Sequence, residues 1–200
     1  MMKKKYHHGD LKSALVDGAT QYIETHGVEA LSFRKLAVEI GVSRTAAYHH
    51  FADKNDLLCE VAAAGFKRWS ASFSALFAEK DDLSAEQVYR RFVFHYMQFA
   101  IENNKLYDLM FGATIWKENK GTSRLKSAAY PSFEQQLNMT SYWQEQGVLP
   151  RHIKSLRLSQ VIWGTLHGIA RLAIDGVYHE QSPIDEMCES AIQLFLHNSQ

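Results

Sequence analysis

Residues 31–58 read Leu-Ser-Phe-Arg-Lys-Leu-Ala-Val-Glu-Ile-Gly-Val-Ser-Arg-Thr-Ala-Ala-Tyr-His-His-Phe-Ala-Asp-Lys-Asn-Asp-Leu-Leu. Phe33, Leu36, Ala37 and Ile40 recur at i, i+3, i+4 and i+7, one apolar face of a helix, with Arg34, Lys35 and Glu39 on the other. Ser32 is placed to cap that helix. Gly41 follows where the chain must leave it, a position that favours positive φ, and Ser43 can cap a second short helix carrying Arg44, Thr45 and Tyr48 outward. Asp53 is the expected N-cap of a third helix, and Asp56 sits where a carboxylate suits the orphan N–H groups and positive dipole end. Two short helices hinged by glycine and running into a third form the pattern of a helix-turn-helix.

Outward from this stretch, a helix is predicted from about Leu11 to His26, with Leu11, Leu15, Ala19, Tyr22 and Ile23 as its buried stripe and Gly27 at its end. Past it, Lys54 to about Ala78 reads as one long helix with a late stripe of Trp69, Phe73, Leu76 and Phe77. Further helices are predicted over about 84–103, 105–116, from Pro131 (as start or kink) to Gln146, 153–178 and from Ser182 or Pro183 to near His197. No strand pattern, repeat or low-complexity tract interrupts them. The predicted fold class is all-α with about nine helices. Residues 1–8 form a basic arm, 9–56 a three-helix helix-turn-helix domain, and 57–200 a larger helical domain for ligand sensing and dimerisation.

The 200 residues, 46% hydrophobic and 22% charged, have the composition of an ordinary globular chain. Cys59 and Cys188 lie far apart without metal-ligand spacing, and no charged-then-apolar leader is legible, so a reducing cytoplasm is the expected setting. Apolar runs such as Val61 to Gly65 fall short of the roughly 20 residues a membrane span needs. Net charge is +0. In residues 1–56 the bases Lys3, Lys4, Lys5, Lys12, Arg34, Lys35, Arg44 and Lys54 outnumber the acids Asp10, Asp17, Glu24, Glu29, Glu39, Asp53 and Asp56 by one. Attraction for nucleic acid must therefore come from placement, with Arg34, Lys35, Arg44 and Lys54 as a local basic surface, and not from bulk charge.

These residues resemble the TetR/AcrR one-component transcriptional regulators. The resemblance is carried by Ser-Phe-Arg-Lys-Leu-Ala at 32–37, Gly-Val-Ser at 41–43 and Tyr-His-His-Phe-Ala-Asp-Lys at 48–54 before Leu57-Leu58. Tyr-His-His-Gly-Asp-Leu at 6–11 is similar to the lead-in of one subgroup, and Trp163-Gly-Thr-Leu-His167-Gly168 resembles the Trp-His-Gly motif of that subgroup's C-terminal domain. The likeness is strong over 6–66 and thinner beyond. It implies a homodimer whose two readers are spaced for a palindromic operator, a small-molecule effector that shifts that spacing, and repression released by the effector as the default.

On this reading the second helix of the motif enters the major groove. Arg44 is the best base reader, since its fork can donate twice to guanine, and Arg34 is the second candidate; a solvated or salt-bridged arginine is the alternative for each. Ser32, Thr45, Tyr48, His49 and Lys54 suit phosphate, while Phe33 and Ala46 offer apolar contact to a thymine methyl. His50 and Phe51 are expected in the core. The small Thr45-Ala46-Ala47 run, where many members carry a bulkier residue, leaves base preference open. The lysine arm either enters a minor groove or merely solubilises.

In the C-terminal part, Gly164 and Gly168 stand at i and i+4, a pair that lowers helix propensity unless another backbone packs close. With Ile184, Cys188, Ile192 and Phe195 they form the candidate dimer interface, packing within one subunit being the alternative. Trp69, Phe73, His95, Phe99, Met110, Phe111, Trp116 and Phe133, with His167, are the candidate lining of a pocket for an apolar or aromatic ligand, and core packing competes for each of them. Ten histidines raise enzyme or metal-sensor alternatives. His7-His8 and His49-His50 are adjacent and point apart, there is no His-Glu-x-x-His, and no serine or cysteine sits in a nucleophile setting. No catalytic residue, metal site or cofactor is expected.

Overall fold

The computed structural model describes residues 8–117, 120–178 and 183–196. Lys3 to Lys5 of the basic arm, Ser182 and His197 lie outside these. Among the described residues the chain is helical without strands: α1 (His8–His26), α2 (Phe33–Glu39), α3 (Arg44–Tyr48), α4 (Lys54–Ala78), a 3-10 turn (Glu79–Asp81), α5 (Ala85–Glu102), α6 (Asn104–Phe111), α7 (Ala113–Trp116), α8 (Ser123–Glu145), α9 (Ser155–Ile174) and α10 (Ile184–Phe195).

Two compact units emerge, the described residues of Met1–Arg68 with Asn103–Tyr130 and those of Trp69–Glu102 with Pro131–Gln200. α4 and α8 each contribute their first part to the first unit and the remainder to the second. In the first, α1 packs on α2 and on α6, and α2 on α3. Leu15, Ala19, Ile23, Leu36 and Ala47 are its fully buried centre, while Leu11 and Tyr22 are only half-buried. Phe51 is buried as expected, His50 half-buried. The Glu60 carboxylate joins three helices, accepting Lys12 of α1 at 2.8 Å and Arg124 of α8 at 3.1 Å. Lys105 at the start of α6 donates to the carbonyl of Thr25 at 2.7 Å, setting a cation at the negative end of α1.

One boundary differs from the sequence expectation. The helix expected over 105–116 is broken at Gly112, whose extended ψ of 169° separates α6 from α7. A Cβ there would lie 2.2 Å from the carbonyl oxygen of Asp108, so the close passage of the chain requires glycine. Of the two alternatives at Pro131, helix start or interior position, the second holds: α8 begins at Ser123, with Thr122 Oγ1 accepting from the amide of Leu125 at 3.2 Å. Pro131 is carried inside α8 on its exposed side.

In the second unit α5 packs on α9 and α10, and α10 on α9. Ser84 opens α5 with a capping box, accepting from Gln87 N at 3.2 Å while the Gln87 side chain accepts from Ser84 N at 2.9 Å. α8 brings buried Ser132, Gln136, Thr140 and Gln144 inward at successive i+4 positions. Their polar atoms are engaged by hydroxyls and carbonyls: Ser132 with Ser70 at 2.7 Å, Gln136 with Ser159 O at 3.4 Å, Gln144 with Ile153 O at 2.8 Å and Ser155 at 2.6 Å.

Candidate nucleic-acid interface

Ser32 Oγ accepts from the Lys35 amide at 3.3 Å and Ser43 Oγ from the Ala46 amide at 3.2 Å, so each short helix starts at its own serine cap. Between them Gly41 turns the chain at φ 72°, with Val42 N donating to Ala37 O at 2.9 Å. Asp53 and Asp56 close the far side reciprocally: Asp53 Oδ1 accepts from Asp56 N at 2.8 Å, and Asp56 Oδ2 from Ala52 N at 3.1 Å. These caps fix α3 between α2 and α4 by local chemistry alone.

The exposed face so framed carries Ser32, Arg34, Ser43, Arg44, Thr45, Tyr48 and His49. Lys54 is half-buried at the first turn of α4, and Ala46 half-buried on α3. Lys35 is held by the carbonyl of Ala30 at 3.0 Å. The Arg44 guanidinium donates to Tyr48 Oη at 3.3 Å and lies 5.5 Å over the Tyr48 ring, which in turn meets Phe33 at 4.6 Å. Arg44 is therefore presented from a ring stacked on the core. The i, i+4 spacing on α3 was the available sequence signal for this pair. Phe33 is 7% exposed and packs on Tyr48 and Phe51. That corrects its reading as a thymine contact: the residue belongs to the apolar face of α2. Val38, unassigned from sequence, stands 78% exposed on α2.

The residues expected to line a ligand pocket are distributed over the two units. Met110, Phe111 and Trp116 belong to the first, where Phe66 meets Phe111 and Trp116 edge-on at 5.3 and 6.3 Å, and Trp116 Nε1 donates to Met110 O at 2.7 Å. Trp69, Phe73, His95, Phe99, Phe133 and His167 belong to the second. Trp69 meets Phe73, Tyr96 and Phe99 at 4.7, 4.9 and 4.8 Å, and Phe73 meets Phe92 and His95 at 5.2 and 4.8 Å. Tyr89 and Trp143, unassigned from sequence, complete this cluster at 5.1 Å from each other. Phe133 lies elsewhere, against Trp163 at 4.9 Å, with His167 6.3 Å from Trp163 along α9. Desolvation lowers the pKa of His95, against an opposing pull from Glu102, and lowers that of His167 with Arg171 acting in the same direction.

On α9, Gly164 is exposed and Gly168 half-buried, and a Cβ at either would meet nothing within 4 Å. Among the described residues no other element approaches either glycine that closely. Cys188 and Ile192 are fully buried within their own unit, which moves them from the outward face of α10 to its inward one, whereas Ile184 and Phe195 are half-buried. Burial, helped by Asp185 and Glu189, raises the Cys188 thiol to about 11. Among the described residues no group of three or more His, Cys, Asp or Glu is placed to hold a metal, and no helix is long and apolar enough to cross a membrane.

Comparison with known proteins places this geometry. A family model described as bacterial regulatory proteins, tetR family, matches residues 15–61, and one described as a Tetracyclin repressor-like C-terminal domain matches residues 89–195. An uncharacterized HTH-type transcriptional regulator of Mycobacterium tuberculosis is 43% identical over 61 residues, 30% of this chain and 26% of that protein. The HTH-type transcriptional repressor AcnR of Corynebacterium diphtheriae is 35% identical over 51 residues, covering 26% of this chain and 27% of its own. The chain thus spans about a quarter of the length of these curated relatives. A solved structure of a Rhodococcus protein of unknown function superposes with a TM-score of 0.81 at 31% identity, covering 96% of this chain and 97% of the other. With both of its domains matched, the chain belongs to the TetR family of DNA-binding transcriptional regulators and not to a family of enzymes.

Proposed function

We propose that the protein is a homodimeric, cytoplasmic repressor that binds a palindromic operator and is released by a small, largely apolar molecule. The observation that carries the DNA-reading part is the capped, exposed α3: Arg44, raised on Tyr48, stands beside Thr45 and His49, with Arg34 and Ser32 at the start of α2. Arg44 then reads a base edge, and the hydroxyl, imidazole and ammonium groups of Ser32, Thr45, His49 and Lys54 hold phosphates.

Support for self-association comes from α9 and α10. Val161 and Leu172 are 56% and 39% exposed around the bare Gly164–Gly168 stretch, and Leu194 of α10 is 79% exposed. A groove between these helices is lined by Thr165, Ile169, Met187 and Leu194. Two such faces bury their apolar side chains against each other in a four-helix arrangement related by a twofold axis. Trp163, His167 and Gly168 of the Trp-His-Gly motif lie along the same helix, in keeping with that subgroup. The test is fluorescence anisotropy with DNA from upstream of the protein's own gene: saturable binding to an inverted repeat at two subunits per site is expected. Binding no tighter than to scrambled DNA at the same salt concentration refutes the reading.

A further inference from the structure

Three buried side-chain polar atoms have no hydrogen-bond partner among the described residues: Tyr89 Oη, Trp143 Nε1 and His95 Nε2. All three lie in one run of rings in the second unit. Tyr89 meets Trp143 at 5.1 Å, Phe92 bridges Trp143 at 5.0 Å to Phe73 at 5.2 Å, and Phe73 carries His95 at 4.8 Å. Tyr89 and Trp143 are 0% and 1% exposed. Folded proteins pair nearly every buried polar atom, because an unpaired donor has given up its water for nothing. The rest of this interior follows that rule, down to the serine and glutamine seam of α8. A phenylalanine would fill the Tyr89 slot without leaving an orphan.

We propose that this ring cluster is the effector site, and that its ligand is a neutral apolar molecule bearing a carbonyl oxygen that accepts from Tyr89 and Trp143. The inference rests on the reading of the protein as a ligand-released regulator and supplies the chemistry of the ligand. Both orphan groups are donors: the indole N–H can only donate, and the phenol O–H is free to. They ask for an acceptor. A carboxylate entering this apolar lining would lose its hydration without gaining a cation, since burial holds His95 toward its neutral form. The surrounding phenylalanine rings match an apolar body. The rings close over the orphan atoms, and admission of a ligand must part α5 from α8 at this point. Parting them gives the ligand a differential hold on one conformation, which is what a shift of equilibrium requires.

The test uses the full-length protein and two matched probe series, ethylnaphthalene, acetylnaphthalene and naphthoate, and the same three groups on a linear alkyl chain. Calorimetry and thermal melts are run on wild type, Tyr89→Phe and His95→Phe. In at least one series the acetyl member is expected to bind about tenfold tighter than its ethyl and carboxylate counterparts, the scale of one lost hydrogen bond. Tyr89→Phe should cut that advantage severalfold, leaving what the Trp143 N–H supplies, while the ethyl member binds unchanged. Ligand-free Tyr89→Phe should melt at or above the wild-type temperature, because an unpartnered hydroxyl has been removed. A hydroxyl serving only the core through a trapped water would do the reverse in both readouts.

Equal binding of ethyl and acetyl members, no binding by any member, or acetyl affinity that ignores both substitutions overturns the proposal. So does a lowered melting temperature for Tyr89→Phe. If that variant fails to fold, the hydroxyl is structural and the proposal falls with it. Tyr89-dependent acetyl binding that leaves operator affinity untouched upholds the site and removes ligand release. A compound that releases DNA from wild type and from Tyr89→Phe alike does the opposite.

Discussion

Arg44→Ala should separate stability from DNA reading. The side chain is exposed, and its visible interactions are the 3.3 Å hydrogen bond to Tyr48 Oη and the stacking over that ring, both within one turn of α3. An exposed i, i+4 pair on a helix contributes about 0.2–0.5 kcal/mol. Alanine, the best helix former, offsets part of the loss. For a chain of this size such a change moves the melting temperature by roughly 2 °C or less. On DNA the balance is different. A bidentate arginine–guanine contact discriminates by about 1–3 kcal/mol, and two half-sites double it to about 2–6 kcal/mol. At about 1.4 kcal/mol per decade, operator affinity falls at least roughly thirtyfold. Loss of preference should be confined to one base pair per half-site. Anisotropy titrations against every single-base-pair operator variant at fixed salt, beside thermal melts, measure both quantities. If Arg44→Ala keeps the wild-type ranking of operator variants and the spacing between their affinities, Arg44 does not read a base.

Lys54→Ala should weaken binding to all sequences equally and reduce the slope of log affinity against log salt by about one. A lysine in the first turn opposes the dipole of α4, so the variant should be no less stable, as thermal melts will check. Gly168→Leu should fold, since its Cβ meets nothing within 4 Å and leucine is the better helix former, yet sediment as a monomer with reduced operator affinity. An intact dimer at micromolar concentration removes α9 from the interface. Stability should fall on acidification: His95 and His167 both have folded pKa values lowered by burial, so below about 6.5 the unfolded chain takes up protons that the native chain refuses. The stability these residues supply is complete above that pH and is lost as pH drops through their folded values. Denaturant titrations from neutral to mildly acidic pH should follow this course, and His95→Phe should flatten it.

The helix-turn-helix was legible because each of its decisions is local. Ser32, Gly41, Ser43 and the Asp53–Asp56 pair act on backbone groups within four residues, and all do what their types dictate. Phe33 was open between two roles because helical periodicity gives the angle of a side chain but not what covers it. Tyr48 supplies that cover. Pro131 was open between starting a helix and lying within one; it lies within α8, because proline obstructs only the preceding turn and on the exposed side of α8 that fault meets solvent. Thr122 was the better signal, a hydroxyl three residues before buried Leu125. Gly112 was unreadable as a break, since the carbonyl that excludes a Cβ comes from how α6 ends.

The C-terminal helices were less legible for a reason that two tryptophans make plain. Trp116 and Trp143 stand on apolar helical faces, and hydropathy treats them alike. Trp116 donates to Met110 O and sits edge-on to Phe66, so truncating it would leave that carbonyl unpaired and loosen α6 against α7. Its expected part in ligand binding has no support from this geometry. Trp143 is more deeply buried, but its N–H meets no acceptor among the described residues. The distinction lies in a single hydrogen bond, made by Trp116 to a backbone carbonyl six residues earlier and by Trp143 to nothing among the described residues, and a pattern of residue types carries no information about it. Satisfied polar atoms mark residues that hold the core, and on the proposed reading the orphaned ones mark where a ligand opens it.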